Sequence, residues 1–162
     1  MADPKPYQLD PFDFAILDIL QRNNRIALQD IGQRVNLSAA AVQRRVRRME
    51  EARIIQSNVA VIDPSSVGRP ITLIVEVVID SEHADILDSA RNDFASAPEV
   101  QQCYYVTGAV DFILVLTVST MEEYESLSRR LFLENRNVKH FNTYVSMNRV
   151  KVCLNVPVPA KG

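Results

Sequence analysis

Residues 38–52 read Ser-Ala-Ala-Ala-Val-Gln-Arg-Arg-Val-Arg-Arg-Met-Glu-Glu-Ala. Ser38 can accept a hydrogen bond from the unpaired N–H groups at a helix start, so the spacing predicts a helix from Ala39 to about Ala52. At about 100° per residue with Val42 at zero, Val46 falls at roughly 40° and Met49 at roughly 340°, one narrow apolar stripe. Arg44, Arg47 and Arg48 fall at roughly 200°, 140° and 240°, on the opposite side. Arg45 lies beside the stripe. No acidic residue stands between Asp30 and Glu50, so nothing local neutralises these four arginines. A solvated helix face usually mixes charge signs. A helix that offers guanidinium groups to phosphates and guanine edges explains the one-sided bias better.

Working backwards from this helix, Asn36-Leu37-Ser38 is a short turn, and Leu28 to Val35 predicts a helix with Leu28, Ile31 and Val35 inward. Gly32 inside that helix lowers its propensity and points to a close contact. A first helix is expected from Asp10 or Pro11 to Asn23, with Asp10 as cap and Phe12, Ile16, Ile19 and Leu20 as its stripe. Two short helices joined by a three-residue turn are the spacing of a helix-turn-helix. Residues 54–62 alternate loosely and predict a short strand, completing a winged helix-turn-helix of three helices. On this reading Gln43 and Arg44 are the candidates for base readout. Arg45, Arg47 and Arg48 are candidates for phosphate contacts. Ser38 and the small Ala40 and Ala41 allow close approach at the helix start.

Charge agrees with this division. Residues 1–60 hold nine Lys and Arg against seven Asp and Glu, while the rest of the chain holds nine against thirteen. The overall charge of -2 therefore conceals a basic N-terminal part, and local field is what draws a polyanion.

Working forwards, residues 61–70 are rich in turn formers and read as a hinge between domains at 1–60 and 71–162. Ile71–Ile79 predicts a β-branched strand, 83–97 a helix, 100–107 and 112–119 two strands, 121–134 a helix, and 138–152 a last strand or two. Asp80-Ser81-Glu82 and Thr120-Met121-Glu122 stand at matching places before the two helices. The order βαββαβ implies a ferredoxin-like, split βαβ domain with helices on one sheet face. The fold class is thus α+β. About ninety residues make a thin core on their own, so self-association through the open sheet face is the expected remedy.

At this point the chain resembles the leucine-responsive/asparagine-type, or feast/famine, family of transcriptional regulators. The resemblance rests on Leu9-Asp10 with Asp13, Ile16-Leu17, Leu20-Gln21, Asn24-Arg25, Asn36-Leu37-Ser38, Val42, Arg45, Glu50 and Ile54-Ile55. It continues with Val106-Thr107-Gly108 and Asp111-Phe112. It implies a first domain that binds double-stranded DNA as a homodimer, and a second that dimerises and assembles further, commonly to octamers. It also implies an amino-acid effector held near the loop Thr107, Gly108, Ala109 and Asp111, with Thr143 as a neighbour. Arg53 stands where the family usually has glycine, Ser57-Asn58 where it favours Gly-Tyr, and Val110 where an aromatic precedes Asp111.

The same loop has a plain reading as a hairpin turn between two strands. As an effector site, Gly108 lets backbone approach a carboxylate and Asp111 pairs with an α-ammonium. No catalytic arrangement stands out, and no cofactor or metal is implied. Cys103 and Cys153 are too few for a disulfide framework. The alternatives are a tetrapyrrole-modifying decarboxylase of similar architecture, for which only His83 and His140 are available, and an architectural DNA-compacting protein. The chain has no apolar run of the roughly 20 residues a bilayer requires. With no signal peptide at its start, a cytoplasmic protein is expected.

Overall fold

The computed structural model describes residues 7–80 and 83–159. The predicted cap residues Ser81 and Glu82 lie outside them. The chain divides into two compact units, one comprising Met1–Ala60 with Lys151–Gly162 and the other Val61–Val150. The tail expected to extend the C-terminal domain thus groups with the N-terminal helices.

In the first unit, helix α1 runs from Pro11 to Leu20, α2 from Leu28 to Val35 and α3 from Ala39 to Glu51. Asp10 caps α1 by accepting from the Phe12 and Asp13 backbones, and Asp13 accepts in return from the Asp10 N–H. This reciprocal pair satisfies donors that every helix start leaves open. The three helices close on Ile16, Ile31, Val35, Val42 and Met49. Gly32 is required by the tight α2–α3 turn, since a Cβ there would stand 2.4 Å from the Leu37 carbonyl oxygen. Helix α3 ends in a paired reversal, with Ile54 N–H donating to Met49 and Arg53 N–H to Glu50. Arg53 adopts φ 57°, the left-handed conformation glycine takes more easily.

Residues 54–62 form no strand. Their alternation has no pairing partner among the described residues, and Val59, Val61 and Ile62 stay exposed. A strand needs a neighbour for its N–H and C=O groups.

The second unit contains β1 (Ile71–Ile79), α4 (Ala84–Ser96), β2 (Val100–Tyr105), β3 (Phe112–Val118), α5 (Met121–Ser128) and β4 (Val138–Val145). Helix α5 continues into a wider turn at Arg129–Leu133, where Glu134 N–H reaches Arg129 O. The sheet order is β2-β3-β1-β4 and every pairing is antiparallel, the arrangement the βαββαβ order implied. Leu73, Val75 and Val77 pack with Leu114, Leu116, Phe94, Leu127 and Phe132 in one core beneath the helices. The other sheet face shows Ile74, Tyr104 and Tyr144, each 40–51% exposed. Within the second unit, the segment before β1 forms a short 3-10 turn at Ser65–Val67. Arg69 then anchors to Glu123 at 2.7 Å and to the Thr117 carbonyl at 3.2 Å.

Candidate functional site

Helix α3 separates its side chains as its periodicity requires. Val42 and Met49 are buried, while Gln43, Arg44, Arg47 and Arg48 are exposed. Ser38 caps the helix, its hydroxyl accepting from Ala41 N at 3.2 Å. Ser38 and Ala40 are both exposed at this end. Among the described residues Arg44 and Arg48 make no ion pair. Arg47 pairs with Glu51 at 2.9 Å, but both side chains are mostly exposed. Exposed i,i+4 pairs contribute only about 0.3–0.5 kcal/mol, so this one is readily exchanged for a phosphate.

Arg45 is placed differently from its expected phosphate contact. Its Nη1 donates to Asp10 Oδ2 at 2.7 Å and to Asp13 Oδ1 at 2.8 Å, and its guanidinium lies over the Phe12 ring. Asp13 is 1% exposed and also accepts from the Tyr7 hydroxyl at 3.0 Å. The hydrogen bond to Asp13 is the main cause that raises the Arg45 pKa above its ordinary value. Burial tends to raise the Asp10 carboxyl, but the Asp13 N–H, Arg45 and the Phe12 N–H outweigh it and hold Asp10 below the usual range. Burial and the bond to Asp13 push the Tyr7 hydroxyl up. Arg45 is therefore a brace between α1 and α3. The sequence showed it at the border of the apolar stripe, but its acidic partners lie 32 and 35 residues away, so no local acid betrayed the pairing.

In the second unit the β2–β3 connection is a hairpin loop. Val106 N–H donates to Asp111 O, and Asp111 N–H to Val77 O, each at 2.9 Å. Asp111 Oδ2 accepts from Ile79 N at 2.8 Å, so the carboxylate extends the sheet past the last β1–β3 pair. Its Oδ1 makes no hydrogen bond to the described residues. Gly108 has φ 135° and open space where a Cβ would be, so conformation alone calls for glycine. Thr107, Gly108 and Ala109 are exposed. Thr143 stands on β4 opposite Val75, its hydroxyl bonded to Tyr124 of α5. The hairpin groups are brought together, whereas Thr143 sits on a strand across β1 from β3. Sequence reasoning missed Arg91, which lies over the Tyr105 ring at the foot of this hairpin.

Among the described residues no cluster of three or more His, Cys, Asp and Glu could hold a metal ion. No helix there is long and apolar enough to cross a membrane.

Residues 9–50 match the AsnC-type helix-turn-helix domain, and residues 72–154 match the Lrp/AsnC ligand-binding domain. The chain belongs to the Lrp/AsnC family of transcriptional regulators. An uncharacterised HTH-type transcriptional regulator of Sinorhizobium fredii is 43% identical over 93% of this chain and 89% of its own length. The leucine-responsive regulatory protein of Haemophilus influenzae is 32% identical over 88% of this chain and 86% of its own. A transcriptional regulator of Neisseria meningitidis, solved as an L-Met complex, superposes with a TM-score of 0.85 at 25% identity, covering 93% of this chain and 97% of that one. Both units therefore carry the family's two modules, one for DNA and one for a ligand. Neither the decarboxylase nor the DNA-compacting alternative gains support from these matches.

Proposed function

We propose that the outer face of α3 reads duplex DNA, with Gln43 and Arg44 reaching base edges and Arg47 and Arg48 holding phosphates. The carrying observation is that, among the described residues, Arg44 and Arg48 are exposed without ion pairs while Arg45 is turned inward onto Asp10 and Asp13. Ser38 and Ala40 lie at the helix end that approaches the groove. Recognition then needs no catalysis, and two copies of α3 about one helical turn apart would engage successive major grooves. The protein acts where that DNA lies, in the cytoplasm, as a regulator without catalytic activity. The test is a site selected from random duplexes. Gln43→Ala should relax its sequence preference, and Arg48→Ala should weaken binding to every sequence alike. Unaltered preference and affinity in both variants would refute the assignment.

The chain works as a homodimer through the open sheet face, which can assemble further to an octamer. Exposed Ile74, Tyr104 and Tyr144 support this. Sedimentation should give a dimer or larger at micromolar concentration, and Ile74→Arg should give a monomer. A wild-type monomer would refute it.

The effector is an amino acid at the Thr107, Gly108, Ala109 and Asp111 hairpin, with Thr143 contributing from β4. The Asp111 Oδ1, unbonded among the described residues, suits an ammonium, and exposed loop N–H groups suit a carboxylate. The Neisseria relative's L-Met complex supports the ligand class. Because the loop groups are exposed in one chain, a second copy would close the pocket. Calorimetry across the twenty amino acids tests this; no heat from any of them would remove the sensing role.

A further inference from the structure

The segment Lys-Val-Cys-Leu-Asn-Val-Pro-Val-Pro, residues 151–159, has no part in either site described above. The chain leaves the sheet after β4, where Ser146 N–H still donates to Thr72 O at 2.9 Å. From Lys151 it belongs to the compact unit of the DNA-binding helices. There the Gln21 carboxamide, at the end of α1, holds one tail residue twice. Its Nε2 donates to Val156 O at 2.9 Å, and its Oε1 accepts from Val156 N at 3.0 Å.

A carboxamide carries one acceptor and two donors side by side, so it can satisfy both backbone groups of one extended residue as a neighbouring strand would. Two residues on, Val158 is the one half-buried residue of the described tail. With Pro159 it lines a cleft of about 520 Å3 against Phe14, Ala15, Ile19 and Val35. Pro157 and Pro159 fix their own φ and bias Val156 and Val158 to extended backbone, so docking orders little that was free.

We propose that the C-terminal tail is an intramolecular clamp. Docked on α1 through Gln21 and Val158, it attaches the DNA-binding unit to the sheet-bearing unit at two points of the chain, the 61–70 segment and residues 146–150. Helix α1 is also the element that grips α3 through Asp10, Asp13 and Arg45. Tail, α1 and α3 thus form one continuous mechanical connection from β4 to the DNA face. The clamp itself is independent of the DNA reading; its consequence for operator binding rests on it.

The direct test places a nitroxide on exposed Cys153 of the full-length protein, in a Cys103→Ser background. Amides of Leu17 to Arg22 should broaden, and Val158→Asp or Gln21→Ala should restore them. No broadening at α1 would overturn the clamp. In a sample mixing isotope-labelled copies without nitroxide and unlabelled copies with it, α1 amides should stay sharp. Broadening there would place the tail on another copy and overturn the intramolecular assignment. On DNA, releasing the tail with Val158→Asp should weaken binding to a duplex with two half-sites by about tenfold, while a single half-site is bound unchanged. Equal effects on the two duplexes, or none, would overturn the two-point attachment. Absence of wild-type binding to both duplexes, with broadening at α1 intact, would instead sink the DNA reading.

Discussion

Helix α3 and the β2–β3 hairpin expose their polar groups on opposite terms. On α3 the internal tie is assigned to one arginine, Arg45, and the neighbouring cations are left facing outward. In the hairpin the single acid, Asp111, is itself the tie, with one oxygen committed to the Ile79 N–H. The first surface is complete in one chain, because fixing it and using it fall to different residues. The second offers one carboxylate oxygen and exposed backbone, and as the proposed effector site it would need further surface to enclose a ligand.

The sharpest way to break that contrast is to remove the platform under α3. Gly32→Ala sets a Cβ against the Leu37 carbonyl, a backbone atom fixed by the turn. It should cost the first unit about 3 kcal/mol, seen as a lowered unfolding midpoint together with lost DNA binding. Asp13→Ala comes next. It leaves Arg45, the Tyr7 hydroxyl and the Asp10 N–H each short of a partner, at about 2 kcal/mol once the partial exposure of Arg45 is allowed for. Chemical denaturation should show this loss, whereas Arg44→Ala should cost almost none.

The same network carries a pH dependence. The Asp10 carboxyl is depressed in the fold, so its stabilisation is present above the ordinary carboxylate pKa and lost as pH falls through the lower folded value. Denaturation of the wild type across acid pH should show that loss, and Asp10→Asn should flatten it.

In the second unit, Asp111→Ala should cost about 1 kcal/mol, the worth of one sheet-edge hydrogen bond. Amide exchange should rise at Ile79 and leave α3 untouched. If it loosened α3 as well, the independence of the two surfaces would fail. Smallest of all, Arg53→Gly should raise the melting midpoint, by relieving a left-handed arginine for a gain of about 0.5–1 kcal/mol.

The two units were legible in the sequence to different depths. The apolar stripe of Val42 and Met49 and the alternation of Leu73, Val75 and Val77 express burial periods, and those placed α3 and β1 almost to the residue. Residues 54–62 carry the same kind of alternation, but a strand also needs a partner, which a period does not reveal. Arg53 and Gly32 announced their backbone demands by being unusual where they stand. Arg45 looked like its neighbours because its role depends on acids from another helix. Asp111 likewise reads as a ligand group or a turn residue, and the choice depends on the Ile79 N–H, which lies 32 positions away. The Gln21 grip on Val156 spans 135 positions and left no local mark at all.

The most direct measurement is the salt dependence of binding to a selected duplex, for the wild type and an Arg44→Ala, Arg48→Ala double variant. With α3 as the DNA face, the variant should lose affinity by on the order of 100-fold, and its log–log salt slope should become shallower by at least about 1. Its unfolding midpoint should match the wild type. Equal affinity and slope in the two proteins would contradict the account.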